Sequence, residues 1–414
     1  MLFVDAGDFT GDDTWPGRRQ TETLIEGMGA LEYRVTNLAQ RELGHGYAAL
    51  LERKQKARFE FVSANVVWQD TAEPIVAPGT VITVPLRDGA KAKSLRVGFI
   101  GLTRNNPAFL KEGPDGRRIV TIDHLQAAAK HVPEIRKKAD IVVALVAMDL
   151  ESARQLARTV KDIDLVLGGQ GGFQTRADDF PEDTKFGRTR LMAIGDQGKV
   201  VGEVRLVFDA ARAIVSAQRN LINLGREWPD EPVLAALMEK TRTVINDYNR
   251  DQAGAASPFE PARAAGAPAI QAAAVPPTAP APAIVPAFTG SARCEACHES
   301  AFSTWKGSAH AHAFDILVQR RQDYNPLCVG CHTIGHKQTH GFVDATRTPD
   351  LLHVGCEACH GPSSLHPETV EAGYGRTGTD RCVTCHTREN SPDYNPAEYV
   401  PKIRHWDEPP AAGR

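Results

Sequence analysis

The chain has 414 residues, enough for two or three domains, and a formal net charge of −3 at pH 7. That balance argues against a nucleic-acid binder, whose footprint is basic. The longest apolar run, Ile141 to Met148, has strand length and falls short of the roughly 20 residues a membrane helix needs.

The chain opens on "LFVDAGDFTGDD", a short apolar strand running into an acidic turn from Asp5 to Asp13. Carboxylates placed at the end of a leading strand are well set to meet a metal. Up to about residue 210, apolar runs alternate with amphipathic segments, the pattern of an α/β layered domain. Strands are expected at 2–5, 33–38, 59–64, 94–101, 139–147 and 163–168, and helices at 20–30, 123–137 and 150–160. The stretches 190–196 and 202–209 are expected to form a hairpin through "QGKV", with a helix following at 232–249. Between Ala255 and Ala287 alanine and proline dominate, a composition that buries little and favours extended chain, so a linker is expected. The organisation expected is therefore a front domain over 1–250, a linker over 251–290, a second module over 291–406 and a tail over 407–414.

All eight cysteines lie beyond residue 290 and fall into four copies of one pattern. These are "CEACH" (Cys294, Cys297, His298), "CVGCH" (Cys328, Cys331, His332), "CEACH" (Cys356, Cys359, His360) and "CVTCH" (Cys382, Cys385, His386). A disulfide framework has no reason to place a histidine after every second cysteine, and zinc sites do not call for four adjoining histidines. Cys-x-x-Cys-His is the pattern of c-type haem attachment, with two thioethers to the porphyrin and the histidine as proximal iron ligand. Four haem c groups are expected, packed close together, with helices and loops wrapped round them and almost no sheet. Covalent haem attachment normally takes place outside the cytoplasm, so a periplasmic or extracellular location and an export signal are expected. The N-terminus carries no such signal, and the start of the natural chain is expected to lie further upstream.

Each iron needs a sixth ligand, a water or an open position. Outside the motifs the second module carries His310, His312, His336, His340, His353, His366 and His405, whereas the preceding 290 residues hold only His45, His124 and His131. Two imidazoles on one iron make a low-spin centre suited to electron transfer, and an open iron binds substrate instead.

"CEACHESAFSTWKGSAHAHAF", "VGCEACHGPSSLH" and "YVPKIRH" resemble the tetrahaem cytochrome c family of the nitrifiers' hydroxylamine oxidation pathway, over roughly residues 291–406. The resemblance implies that His310, in a Trp-x-x-Ser-x-His segment, and His366, after Cys-His-Gly-Pro, are distal ligands. His405 is the third choice, and the fourth is open among His340, His336 and His353. In the nitrifier protein one haem is five-coordinate, so a vacant position is also allowed.

The front domain resembles the calcineurin-like metallophosphoesterases in their 5'-nucleotidase form, through "LFVDAGD", "YRVTNLAQREL", "ADIVVALVAMDL", "DIDLVLGGQGG" and "GEVRLVFD". The implied fold is an α/β sandwich, N-terminally truncated, because the family's Asp-x-His strand would precede Met1. Asp8 matches the carboxylate that bridges two metals. The family's Gly-Asn-His-Glu reads Ala39, Gln40, Arg41, Glu42; its Leu-Ser-His ends on Ala147; its Gly-His-x-His becomes Gly169, Gln170, Gly171, Gly172. Alanine and glycine offer no side-chain ligand and glutamine is a poor substitute for imidazole, so Asp8 is read as vestigial and phosphoesterase activity as absent. His45 cannot make good the losses.

The leading expectation is thus an electron-transfer protein with a degenerate phosphoesterase domain as scaffold or docking module for a redox partner. The alternatives are a haem oxidoreductase acting on a small nitrogen compound at an open iron, a metal-dependent nucleotidase, and a homo-oligomer or filament built through haem-module contacts.

Overall fold

The computed structural model describes residues 1–86, 93–168, 183–194, 198–225, 227–255, 285–366, 375, 377–387 and 390–405. They fall into two compact units, Met1–Thr241 and Arg242–Arg414.

The first unit runs β1 (Phe3–Asp5), α1 (Trp15–Ala30), β2 (Tyr33–Asn37), α2 (Tyr47–Lys56), β3 (Glu60–Val62), β4 (Val66–Trp68), β5 (Gly79–Leu86) and β6 (Lys93–Thr103). There follow β7 (Leu110–Glu112), β8 (Arg118–Thr121), α3 (His124–Arg136), β9 (Ile141–Ala147), α4 (Leu150–Thr159) and β10 (Leu165–Gly168). The remaining elements are β11 (Thr184–Phe186), β12 (Thr189–Met192), β13 (Val200–Phe208), β14 (Ile214–Asn223) and the start of α5 (Pro232–Ala255).

Two sheets stack face to face. One is all parallel, in the order β1-β2-β3, with α1 and α2 as its crossovers. The other has the order β11-β12-β10-β9-β6-β5, parallel at its centre and antiparallel at both edges. Val35 and Val62 of the first meet Val97, Phe99, Val143 and Leu145 of the second in one apolar layer. Helices α1 and α2 cover the outer face of the small sheet, placing Ile25, Met28 and Leu50 near Phe61. Helices α3 and α4 cover the outer face of the large one, with Val132 and Leu156 against Ile100, Val142 and Val166. The result is a helix–sheet–sheet–helix sandwich. Strand β9, "IVVALVA", is apolar without alternation because both of its faces are covered.

Local chemistry sets the ends of the elements. The Thr14 hydroxyl accepts from Gly17 N, and Pro16 follows it, so α1 starts five residues before the expected 20. Helix α2, which periodicity did not single out, is held by Leu50 on its buried face. The expected hairpin between 190–196 and 202–209 does not form. Two hairpins take its place: β12 turns back on β11 through Gly187, and β13 pairs along its length with β14. Leu191 and Met192 decide this, since both are buried where β12 lies parallel to β10 in the central sheet.

The second unit is mostly helical and irregular. It holds α6 (Glu299–Lys306), α7 (Asp315–Gln319), α8 (Pro326–His332), α9 (Cys356–His360) and α10 (Pro396–Tyr399), joined by turns and short 3-10 segments. Among the described residues it has one isolated bridge, Thr333–Leu352, and no strand. Its apolar core is small, built on Phe314, Leu317, Val329, Ile334, Phe342 and Leu351. Chain upstream of 291 belongs to it: the buried Glu357 carboxylate accepts from Thr289 N, Gly290 N and Ser363 N. No helix of the described residues is long and apolar enough to cross a membrane.

Candidate functional site

In the first unit the strand ends converge on Asn37, whose Nδ2 donates to Ala6 O and Leu102 O, both at 2.9 Å. This joins the two sheets at the edge where the β1 loop emerges. Asp8 there has a left-handed φ of 63°, and its Oδ1 accepts from Arg41 N at 3.0 Å. Glu42, fully buried, gathers Asp8 N (3.1 Å), Phe9 N (2.9 Å) and Ala39 N (2.9 Å). Burial first, and then the Asp8 charge, push its carboxyl up to about 7. Asp5 is also pushed up by burial, while its Oδ1 accepts from Gly7 N and Thr36 Oγ1.

The residues at the family's ligand positions have other work. Gln40 Nε2 donates to Arg104 O at 2.9 Å, and Gln40 Oε1 accepts from Asn106 Nδ2 at 3.0 Å. The Ala147 carbonyl accepts from Arg104 N and Thr103 Oγ1. Gly169, Gln170, Gly171 and Gly172 lie outside the described residues. Among the described residues no three His, Cys, Asp or Glu side chains gather at metal-binding range. His45 braces the loop: its Nε2 donates to Gly11 O (3.1 Å) and Asp12 O (2.5 Å), and its Nδ1 accepts from the buried Arg53 guanidinium.

In the second unit, Cys-x-x-Cys-His occupies a single helical turn, which puts both sulfurs and the imidazole on one side. Two copies lie in α8 and α9. The other two close the same turn, with His298 N donating to Cys294 O and His386 N to Cys382 O, both at 2.8 Å. The copies lie close together. Contact with Cys294 lowers the Cys356 thiol to about 7 and raises that of Cys294, and burial, with Cys385 nearby, pushes Cys331 up to about 11.

The imidazoles form pairs across the chain. His298 faces His366 with ring centroids 6.3 Å apart, His386 faces His310 at 6.2 Å, and His360 faces His405 at 5.9 Å. A transition metal sits about 2 Å from an imidazole nitrogen, so two rings on opposite sides of one metal have centroids roughly 6 Å apart. Each pair combines one motif histidine with one from outside the motifs. The residues present therefore fit haem c at three positions, with the cysteine pair of each motif beside its imidazole. At His360 and His386, Nδ1 is engaged by Gly375 O (2.6 Å) and Ser391 Oγ (3.1 Å), and at His405 by Ile403 O (2.9 Å), which leaves Nε2 for a metal.

His332 differs. Its Nδ1 lies 2.5 Å from Ala313 O, and among the described residues no second imidazole faces it in such a pair. His340 is exposed with φ 60°. His336 packs on Phe342 with both ring nitrogens buried and unbonded. His353 accepts from Phe314 N and lies 6.4 Å from His312, a pair without a Cys-x-x-Cys.

Residues 293–361 match the family described as cytochrome c554 and c-prime. Cytochrome c-554 of Nitrosomonas europaea is 34% identical over 90 residues, 18% of this chain and 38% of that protein. Human 5'-nucleotidase is 23% identical over 269 residues, 61% of this chain and 46% of that protein. The calcineurin-like phosphoesterase YfkN of Bacillus subtilis superposes with a TM-score of 0.50 at 19% identity, over 60% of this chain and 85% of that one. The chain joins a phosphoesterase-like domain to a cytochrome c554-like one. It spans less than half the length of the human 5'-nucleotidase and of the Nitrosomonas cytochrome.

The cross-pairing of histidines was not readable from spacing. Nor were Ser391 and Tyr394, which carry no motif and meet His386 only through the turn that follows it, or Glu357, whose partners Thr289 and Gly290 are distant in sequence.

Proposed function

We propose that this protein is a c-type cytochrome that passes electrons through four covalently bound haems outside the cytoplasm. Its phosphoesterase-like domain then serves as a non-hydrolytic scaffold or docking module for a redox partner. The observation that carries this reading is that three Cys-x-x-Cys-His imidazoles each face a second imidazole at 5.9–6.3 Å. Cys294/Cys297, Cys328/Cys331, Cys356/Cys359 and Cys382/Cys385 would form the thioethers, with His298, His332, His360 and His386 proximal. His366, His310 and His405 would be distal to His298, His386 and His360 respectively. Haem c supplies reversible one-electron chemistry at iron, and the chain tunes it through axial ligation, burial and hydrogen bonds to the ligands. Protein made in a cytochrome-c-maturing host should carry four haems per chain by pyridine haemochrome assay, at least three of them low-spin; fewer than four would refute the assignment.

A second reading is favoured by His332, which faces no second imidazole among the described residues. A haem there would have an open sixth position and could bind a small molecule such as nitric oxide. The reduced holoprotein is then expected to bind one nitric oxide per chain, and a uniformly six-coordinate low-spin spectrum would remove the reading.

A further inference from the structure

We infer that the haem carried by the fourth motif holds an electron more tightly than the other two haems with paired imidazoles, and that Ser391 and Tyr394 set this ranking. The inference rests on the haem reading proposed above.

The first observation is the partner of each motif imidazole. His360 Nδ1 engages a backbone carbonyl at 2.6 Å, whereas His386 Nδ1 engages the Ser391 hydroxyl at 3.1 Å. A carbonyl is the stronger acceptor, and a short bond to it draws the Nδ1 proton away and makes the imidazole more basic. A more basic axial ligand stabilises ferric iron. A longer bond to a hydroxyl does so less, and leaves the fourth haem easier to reduce.

The second observation is independent of the first. The Tyr394 ring stacks on His386 at 4.7 Å with planes 16° apart, and the Tyr399 ring stands edge-on at 5.5 Å. The two tyrosines also contact each other, closing two sides of the imidazole. His298, in contrast, is exposed. Low-dielectric surroundings disfavour the extra positive charge of ferric iron, which again favours reduction at the fourth motif. Both effects act in one direction, and a haem held there would accept its electron from an external reductant or from a haem at another motif.

The test is a potentiometric titration of the holoprotein, followed by low-spin optical and electron paramagnetic resonance signals, for Ser391→Asp, Ser391→Asn and Tyr394→Leu beside the parent. A carboxylate in place of the hydroxyl should weaken electron binding at the highest-potential low-spin component at least tenfold, about 59 mV for one electron. Ser391→Asn, whose amide oxygen is a milder acceptor, should move the same component less and keeps the test valid if the aspartate variant fails to mature. Tyr394→Leu, which opens the imidazole to water, should also lower it. The inference is overturned if four haems are present and the shift falls on a lower-potential component, or on none. A haem count short of four would instead overturn the reading beneath it as well.

Discussion

The imidazoles of His298 and His366 lie 6.3 Å apart with planes only 19° from parallel, whereas those of His360 and His405, 5.9 Å apart, are turned 67° to each other. Axial ring orientation sets how far the iron d orbitals are split. The first pair should therefore give a rhombic low-spin resonance and the second a single signal at large g. The continuous-wave spectrum of the oxidised holoprotein checks both at once. His366→Ala should weaken the rhombic signal, to which the His310–His386 pair at 42° also contributes, and add one high-spin haem per chain while leaving the large-g signal in place.

Glu42 makes the first unit sensitive to pH. Its carboxyl is raised from an ordinary value near 4.5 to about 7, so between those values the folded chain holds a proton the unfolded chain has released. The stabilising contribution is complete below about 4.5 and is lost as pH rises through about 7, and Asp5 acts in the same direction. The window is worth roughly 3 kcal/mol at most. Urea unfolding of the front domain should show stability falling from pH 5 to pH 7.5. Glu42→Gln should start lower, because one amide oxygen cannot serve three N–H donors, and show a flatter dependence.

Gly101 lies where β6 passes close to the ends of β2 and β3. A Cβ there would stand 2.1 Å from Val62 O and 2.5 Å from Asn37 Oδ1, both fixed by the strand ends. Gly101→Ala should cost several kcal/mol, comparable to the 2–5 kcal/mol expected for Leu145→Ala in the layer between the sheets. Denaturant midpoints of the two variants measure this.

The front domain should not act as a two-metal hydrolase. Gln40 is spent on Arg104 O and Asn106, and the Asp8 carboxylate already accepts from Arg41 N. Manganese or zinc added to the purified protein should neither raise its unfolding temperature nor release phosphate from a nucleoside monophosphate. Stoichiometric metal binding by calorimetry would contradict this.

What the sequence determined by itself was whatever is written locally. Cys-x-x-Cys-His is complete within five residues, so its four copies declare themselves without any fold. The unbroken apolar run of β9 likewise announces a strand covered on both faces, and the substitutions at Gln40 and Ala147 can be read one by one. Tertiary structure alone decided the pairings that join distant stretches of chain. His386 meets His310, and His360 meets His405, because short helices bend the chain back on itself, and no spacing encodes that. Burial of Leu191 and Met192 drew β12 into the central sheet, where turn chemistry alone favoured another hairpin. Glu42 looks like an ordinary surface glutamate in the sequence. It acquires its raised pKa only when two loops close over it, since desolvation belongs to the folded surroundings and not to the residue.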